Sequence, residues 1–281
     1  MAVNREYKAT LFSKLFNEPT RLRELYNALA DTNYGEDTPI EINTLDSAFF
    51  NDIRNDVSFT IDNKYIVLLE HQSTINANMP LRFLQYITRV YEKITEDRAV
   101  YNEKQVEIPT PEFIVLYNGT KPFPADKTLR LSDAYKATGK NDKHFGSLEL
   151  TVRILNINPG YNDDLLQKSN TLNGYTSFIE RVRNSQQGGN DQQDAVKDAI
   201  KWGISQNILR NFLTEHGAEV SGMLFGTTFN IEIAKEVWQE EAREEALEEV
   251  QAVIADKDSE LADKDAEIAR LSALVAELQQ K

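Results

Sequence analysis

Residues 56–72 read DVSFTI, DNK, YIVLLEHQ, and this stretch limits the fold more than any other. The first six residues alternate. Val57, Phe59 and Ile61 fall on one face, Asp56, Ser58 and Thr60 on the other, which is the period of a half-buried strand. Asp62, Asn63 and Lys64 make a turn, and the apolar run 65–69 returns as a buried strand ending in Glu70, His71 and Gln72. Residues directly opposite each other in an antiparallel pair share a face. A three-residue loop would pair Ile61 with Tyr65, Phe59 with Val67 and Val57 with Leu69, and would set Asp56 opposite Glu70. A two-residue loop would put the two carboxylates on opposite faces, because one step of register turns every side chain over.

In the three-residue register Asp56, Glu70 and Gln72 converge on one face, while His71 points to the other and reads as structural. Two carboxylates beside backbone carbonyls suit a hard cation such as Mg²⁺. An amide next to them could orient a water, and such a site can activate that water against a phosphodiester. The plain alternative is a strand that has reached solvent, where acidic residues need no further role. Spacing by itself leaves both open.

The surroundings suggest an α/β protein. An apolar stripe through Phe12, Leu15, Phe16, Leu22, Leu25 and Leu29 predicts helix over 7–31, restarting at Pro19. A short strand is expected near 40–44. Residues 79–98 form the clearest helix, with Phe83, Ile87, Val90 and Ile94 as its apolar stripe. Arg82, Tyr86, Arg89 and Lys93 share an adjoining face, where the cations could grip phosphates and Tyr86 could stack on a base or sugar; the alternative is a solvated face. Strands are expected at 112–119 and 148–157, then helices around 163–184 and 191–216, separated by the polar loop 184–193. Strands interleaved with helices imply a mixed sheet flanked by helices.

The last 46 residues differ. Leu247, Ile254, Leu261, Ile268 and Val275 recur every seventh position; Val250, Leu271 and Leu278 follow three later, with Lys257 and Lys264 in the equivalent slots. This is a heptad seam, expected to form a coiled-coil tail over 236–281 that could join copies of the chain through 247–278. The expected organisation is a core at 1–160, a helical subdomain packed on it at 161–235, and this tail.

Charge and composition narrow the function. The net charge of −14 speaks against a strong electrostatic DNA binder. Residues 236–281 carry −9 of it, however, which leaves the body at −5 and room for a local basic face. There is no cysteine, so thiolate zinc sites and a cysteine nucleophile are excluded. No stretch approaches the ~20 apolar residues of a membrane span, and the N-terminal residues lack a secretory pattern. A cytoplasmic protein is expected.

Asn55-Asp56 before a strand, EHQST at 70–74 and NMPLRFLQYITRVYEK at 78–93 together resemble the PD-(D/E)XK nuclease superfamily. More closely, they resemble the recombination-promoting nuclease/putative transposase (Rpn-like) family. PTPEFIVLYNG (109–119), LNGYTSFIERVR (172–183) and FLTEHGAEV (212–220) continue the likeness, which covers roughly residues 5–245. It implies a restriction-endonuclease-like core and Mg²⁺-dependent DNA cleavage, with Mn²⁺ as a substitute, linked to recombination, mobile elements or defence. Asp56 and Glu70 match the metal-ligand carboxylates, and the main-chain carbonyl of His71 would complete the shell. Gln72 stands where most of the superfamily has lysine, so it can position a water without supplying charge. Glu24 is the candidate for the glutamate that many members carry on their first helix. The competing class is a non-catalytic interaction protein that keeps the nuclease fold and works through its tail.

Overall fold

The computed structural model describes residues 7–44, 56–95, 99–136 and 146–225, together with Lys257 and Lys264. Residues 1–226 form one compact unit, and 227–281 form a second. Apart from its two lysines, the heptad seam lies outside the described residues.

The first unit is built on a six-stranded mixed sheet. In chain order the strands are β1 (Ile40–Ile42), β2 (Val57–Ile61), β3 (Tyr65–Gln72), β4 (Thr110–Tyr117), β5 (Asp126–Arg130) and β6 (Thr151–Asn156), and in space they run β1-β2-β3-β4-β6-β5. The hairpin takes the three-residue loop. Ile61 pairs with Tyr65, Phe59 with Val67 and Val57 with Leu69. Asp62 and Asn63 both adopt positive φ, a conformation that short polar side chains tolerate, and the Lys64 N–H closes the turn on the Ile61 carbonyl. β3, β4 and β6 are mutually parallel, which brings the carboxyl ends of three strands, at Gln72, Tyr117 and Asn156, to one side.

Helices cover both faces. Helix α1 (Tyr7–Leu15) and α2 (Pro19–Ala30) break at Pro19 as the stripe predicts; Glu18 caps α2 by accepting from the Thr20 and Arg21 N–H groups. They lie on the Val57/Phe59/Leu69/His71 face, with Phe12 stacked on His71 and Tyr26 edge-on to Phe59. Helix α3 (Met79–Ile94) lies on the other face. Its buried Phe83, Ile87 and Val90 join Ile66, Leu68, Val115, Val152 and Ile154 in one cluster. Each such side chain contributes about 1.5–3 kcal/mol on burial.

The helical segment continues from α4 (Asp163–Lys168) through α5 (Asn170–Gln187) and α6 (Gln192–Ser205) to α7 (Arg210–Phe225). Helix α5 packs on the α1 side of the sheet, where Tyr175 meets Phe12 edge-on. A bidentate Arg181–Asp198 pair, at 2.9 and 3.1 Å, ties α5 to α6.

Strand β5 has no counterpart in the sequence reading. It is an edge strand, mostly exposed, and its residues DKTLR carry charge instead of alternating apolar side chains. Edge strands are held by one ladder only and are often charged, so periodicity does not mark them.

Candidate active site

Strand β3 runs past the end of β2, and its last residues need partners that β2 does not supply. Asp56 supplies one. Its Oδ2 accepts from the His71 N–H at 2.6 Å, extending the hairpin by a side chain where the ladder stops. Continuing the register by one residue sets Asp56 against Glu70, on the α3 face. Gln72, two residues on, shares that face at the carboxyl end of the parallel strands, where open α/β sheets receive their ligands.

Glu70 is only 3% exposed. Its Oε2 accepts from Arg82 Nη2 at 3.2 Å, and its Oε1 is buried with no hydrogen-bond partner. Burial first, and the neighbouring Asp56 charge second, push the Glu70 carboxyl well above the usual carboxylate range; Arg82, the Asp56 N–H and the Gln72 amide pull the other way without cancelling them. Burial also raises Asp56, against the His71 N–H and the Arg82 charge. Two carboxylates that each raise the cost of ionising the other are an energetic liability to the fold and a common mark of a functional site.

Gln72 pairs at both ends in one orientation only. With its oxygen toward α3 it accepts from Arg82 Nη1 at 3.3 Å, and its nitrogen donates to the Thr74 carbonyl at 3.2 Å. Arg82 therefore reaches both Glu70 and Gln72 from the first turn of α3. The loop after β4 closes the floor. A Cβ at Gly119 would lie 2.3 Å from the Ser73 carbonyl oxygen and from the Tyr117 hydroxyl, so only glycine lets the two strand exits pass.

The proposed α3 cations and aromatic divide. Tyr86 is 4% exposed and packs edge-on against Phe83 in the core, so it offers its hydroxyl to the site and no ring surface to a base. Burial of Tyr86 follows from α3 lying flat on the sheet, which a helical wheel cannot tell. Arg89 is half-exposed and pairs with Glu92 at 2.7 Å, and Lys93 is exposed one turn further on. Glu24 lies in a different network. Its carboxylate accepts from Ser169 Oγ, the Thr171 N–H and Thr171 Oγ1 at 2.8–2.9 Å, holding α2 to the start of α5.

His71 shows the opposite chemistry. Its ring is buried on the α1 face, stacked on Phe12, with Nε2 2.9 Å from the Tyr175 hydroxyl. Burial, followed by the charges of Lys8 and Arg183, lowers its pKa to about 3, so the ring is neutral. Arg183 is a residue that sequence reasoning passed over. From α5 it donates to the carbonyl and Oδ1 of Asn118 and to Asn158 Oδ1, binding together the loops that follow β4 and β6. Its spacing of eight from Tyr175, two helical turns along one face, was the available signal.

The two carboxylates and the Gln72 amide offer oxygen donors, which suit a hard divalent cation, while the Met79 thioether lies against Gln72 and Arg82 on the α3 side. Among the described residues, no three His, Asp or Glu side chains are grouped closely enough to hold a metal without help. Mg²⁺ does not need three. It keeps much of its water shell and is commonly held through one or two carboxylates.

A mixed sheet with helices on both faces and a carboxylate pair at the carboxyl ends of its parallel strands is the arrangement of a PD-(D/E)XK-related protein. The chain belongs to the family described as putative transposase, YhgA-like, whose model matches residues 44–185, and so to the Rpn group. The matched span runs from just after β1 to the last turn of α5 and contains Asp56, Glu70, Gln72, Arg82 and Arg183. No curated protein and no solved structure gives a match. Among the described residues, no helix is long and apolar enough to cross a membrane.

Proposed function

We propose that this protein is a Mg²⁺-dependent DNA endonuclease acting in the cytoplasm in recombination, mobile-element movement or defence. The observation that carries the reading is Glu70: a buried carboxylate with an unpartnered oxygen, set beside a second carboxylate at the strand ends. Membership of a transposase family supports DNA as the partner.

Asp56 and Glu70 would hold the ion. The His71 N–H faces Asp56, and in an extended strand the carbonyl of a residue points to the same side as its N–H, so the His71 carbonyl suits the third place. Mn²⁺ would serve in place of Mg²⁺. When bound, the ion supplies an activated water and offsets the charge that builds on the phosphoryl oxygens. Gln72 would orient that water through its amide. The positive charge that lysine brings elsewhere is close by, on Arg82. Arg89 and Lys93 continue outward along α3, where they would meet phosphates.

The test is nicking of supercoiled plasmid by the purified protein. Cutting should require Mg²⁺ or Mn²⁺ and stop with EDTA. Asp56→Ala should lower the rate by about 100-fold or more while the protein still melts cooperatively. A folded wild-type protein that cuts nothing with either metal would sink the reading, as would equal cutting by Asp56→Ala.

A further inference from the structure

Glu70 already has a cation, and the pairing is a poor one for a permanent buried ion pair. It is a single end-on bond at 3.2 Å, not the two-armed fork that arginine makes with a carboxylate held for good. It leaves Glu70 Oε1 without a partner, and one guanidinium faces two carboxylates. A buried ion pair is secure only when its geometry is good and its remaining lone pairs are satisfied. Neither condition is met.

Arg82 has a better anchor elsewhere. The Tyr86 hydroxyl accepts from Arg82 Nη2 at 2.6 Å and from Nε at 3.0 Å. That phenol is fixed in the core by its ring, whereas the Arg82 side chain is 36% exposed against 5% for Glu70. The guanidinium is thus tethered to an immobile tyrosine one turn along its own helix, with solvent beside it. It can leave Glu70 without leaving the site.

Resting on the metal-site reading above, we propose that Arg82 is an exchangeable counter-cation. It neutralises Glu70 while no metal is bound and gives way when a divalent cation arrives at the unpartnered Oε1. Still tethered by Tyr86, it then turns its guanidinium to a phosphate of the nucleic acid. A divalent ion at Oε1 would lie close to the guanidinium that holds Oε2 of the same carboxylate, and their repulsion in a half-buried site would drive the exchange. Metal loading would then free the group that grips substrate, so metal and DNA would each strengthen the binding of the other.

Ca²⁺ is the probe, followed by calorimetry and by a crystal structure of the full chain soaked with it. The Arg82–Glu70 contact should open while the Arg82–Tyr86 bonds remain. With the calorimetry carried up in pH until the Ca²⁺ affinity of each protein stops rising, Arg82→Gln should bind Ca²⁺ about fivefold to tenfold more tightly than wild type, because no counter-cation has to be displaced. Ca²⁺ bound with Arg82 still on Glu70, or weaker binding by Arg82→Gln, would overturn the exchange and leave the metal site standing. Failure of the wild-type protein to bind Ca²⁺ would overturn both. Should Arg82→Gln fail to fold, the wild-type crystal structure decides alone.

Discussion

Glu70 and His71 are adjacent, equally buried at 3% and 5%, and face opposite sides of one strand. Their surroundings could hardly differ more. His71 has its ring stacked, its Nε2 hydrogen-bonded to Tyr175 and its charge removed by burial. Glu70 has one oxygen without a partner, a like charge beside it and a single ionic contact, to a half-exposed arginine. Ser58, on the Glu70 face of the hairpin, also has a buried hydroxyl without a partner. Burial of a polar group is therefore no guide to its role. Completeness of partners separates these two neighbours: His71 is satisfied, whereas Glu70 carries an electrostatic cost that a bound cation would relieve.

The largest effect should come from breaking the satisfied side. His71→Ala leaves a cavity under Phe12 and strips Tyr175 of a partner, and should cost about 3 kcal/mol in chemical denaturation at neutral pH. The native pKa of His71, about 3, lies below the unfolded value near 6.5, so the unfolded chain binds the extra proton. Wild type should therefore lose stability as pH falls from about 6.5 toward 3, and the gap between it and His71→Ala should close. A gap that stays constant with pH would mean the ring is not held neutral.

The unsatisfied side should respond with the opposite sign. The pKa values of Asp56 and Glu70 are raised in the native state, so the folded protein binds more protons than the unfolded chain at mildly acid pH. Their contribution to stability grows as pH falls from neutral toward the ordinary carboxylate range, against the trend set by His71. Asp56→Asn keeps an acceptor for the His71 N–H and removes one charge. In the absence of metal it should stabilise the fold at neutral pH by about 1 kcal/mol while abolishing cleavage. A destabilised Asp56→Asn would mark Asp56 as a strand-end cap and nothing more.

Much of this contrast was legible in the sequence. Period two separates Glu70 from His71, and the three-residue turn DNK sets the register that brings Asp56 across from Glu70. What stayed hidden depends on distant contacts. The approach of Arg82 to Glu70 and Gln72 requires α3 to lie across the end of β3, which no local pattern encodes. The same packing buries the ring of Tyr86, which helical spacing alone had turned outward. Glu24 stands on α2, the second helix, and only the fold reveals its three bonds to Ser169 and Thr171. The charged edge strand β5 escaped because charge along an edge carries no period.

The central claim is that Asp56 and Glu70 form a divalent-cation site. Electron paramagnetic resonance of Mn²⁺ titrated into the folded protein tests it without requiring turnover. Wild type should remove Mn²⁺ from the free-ion signal at its site, and Glu70→Gln, folded and at least as stable, should lose that binding. Equal Mn²⁺ binding by Glu70→Gln, or none by wild type, would contradict it.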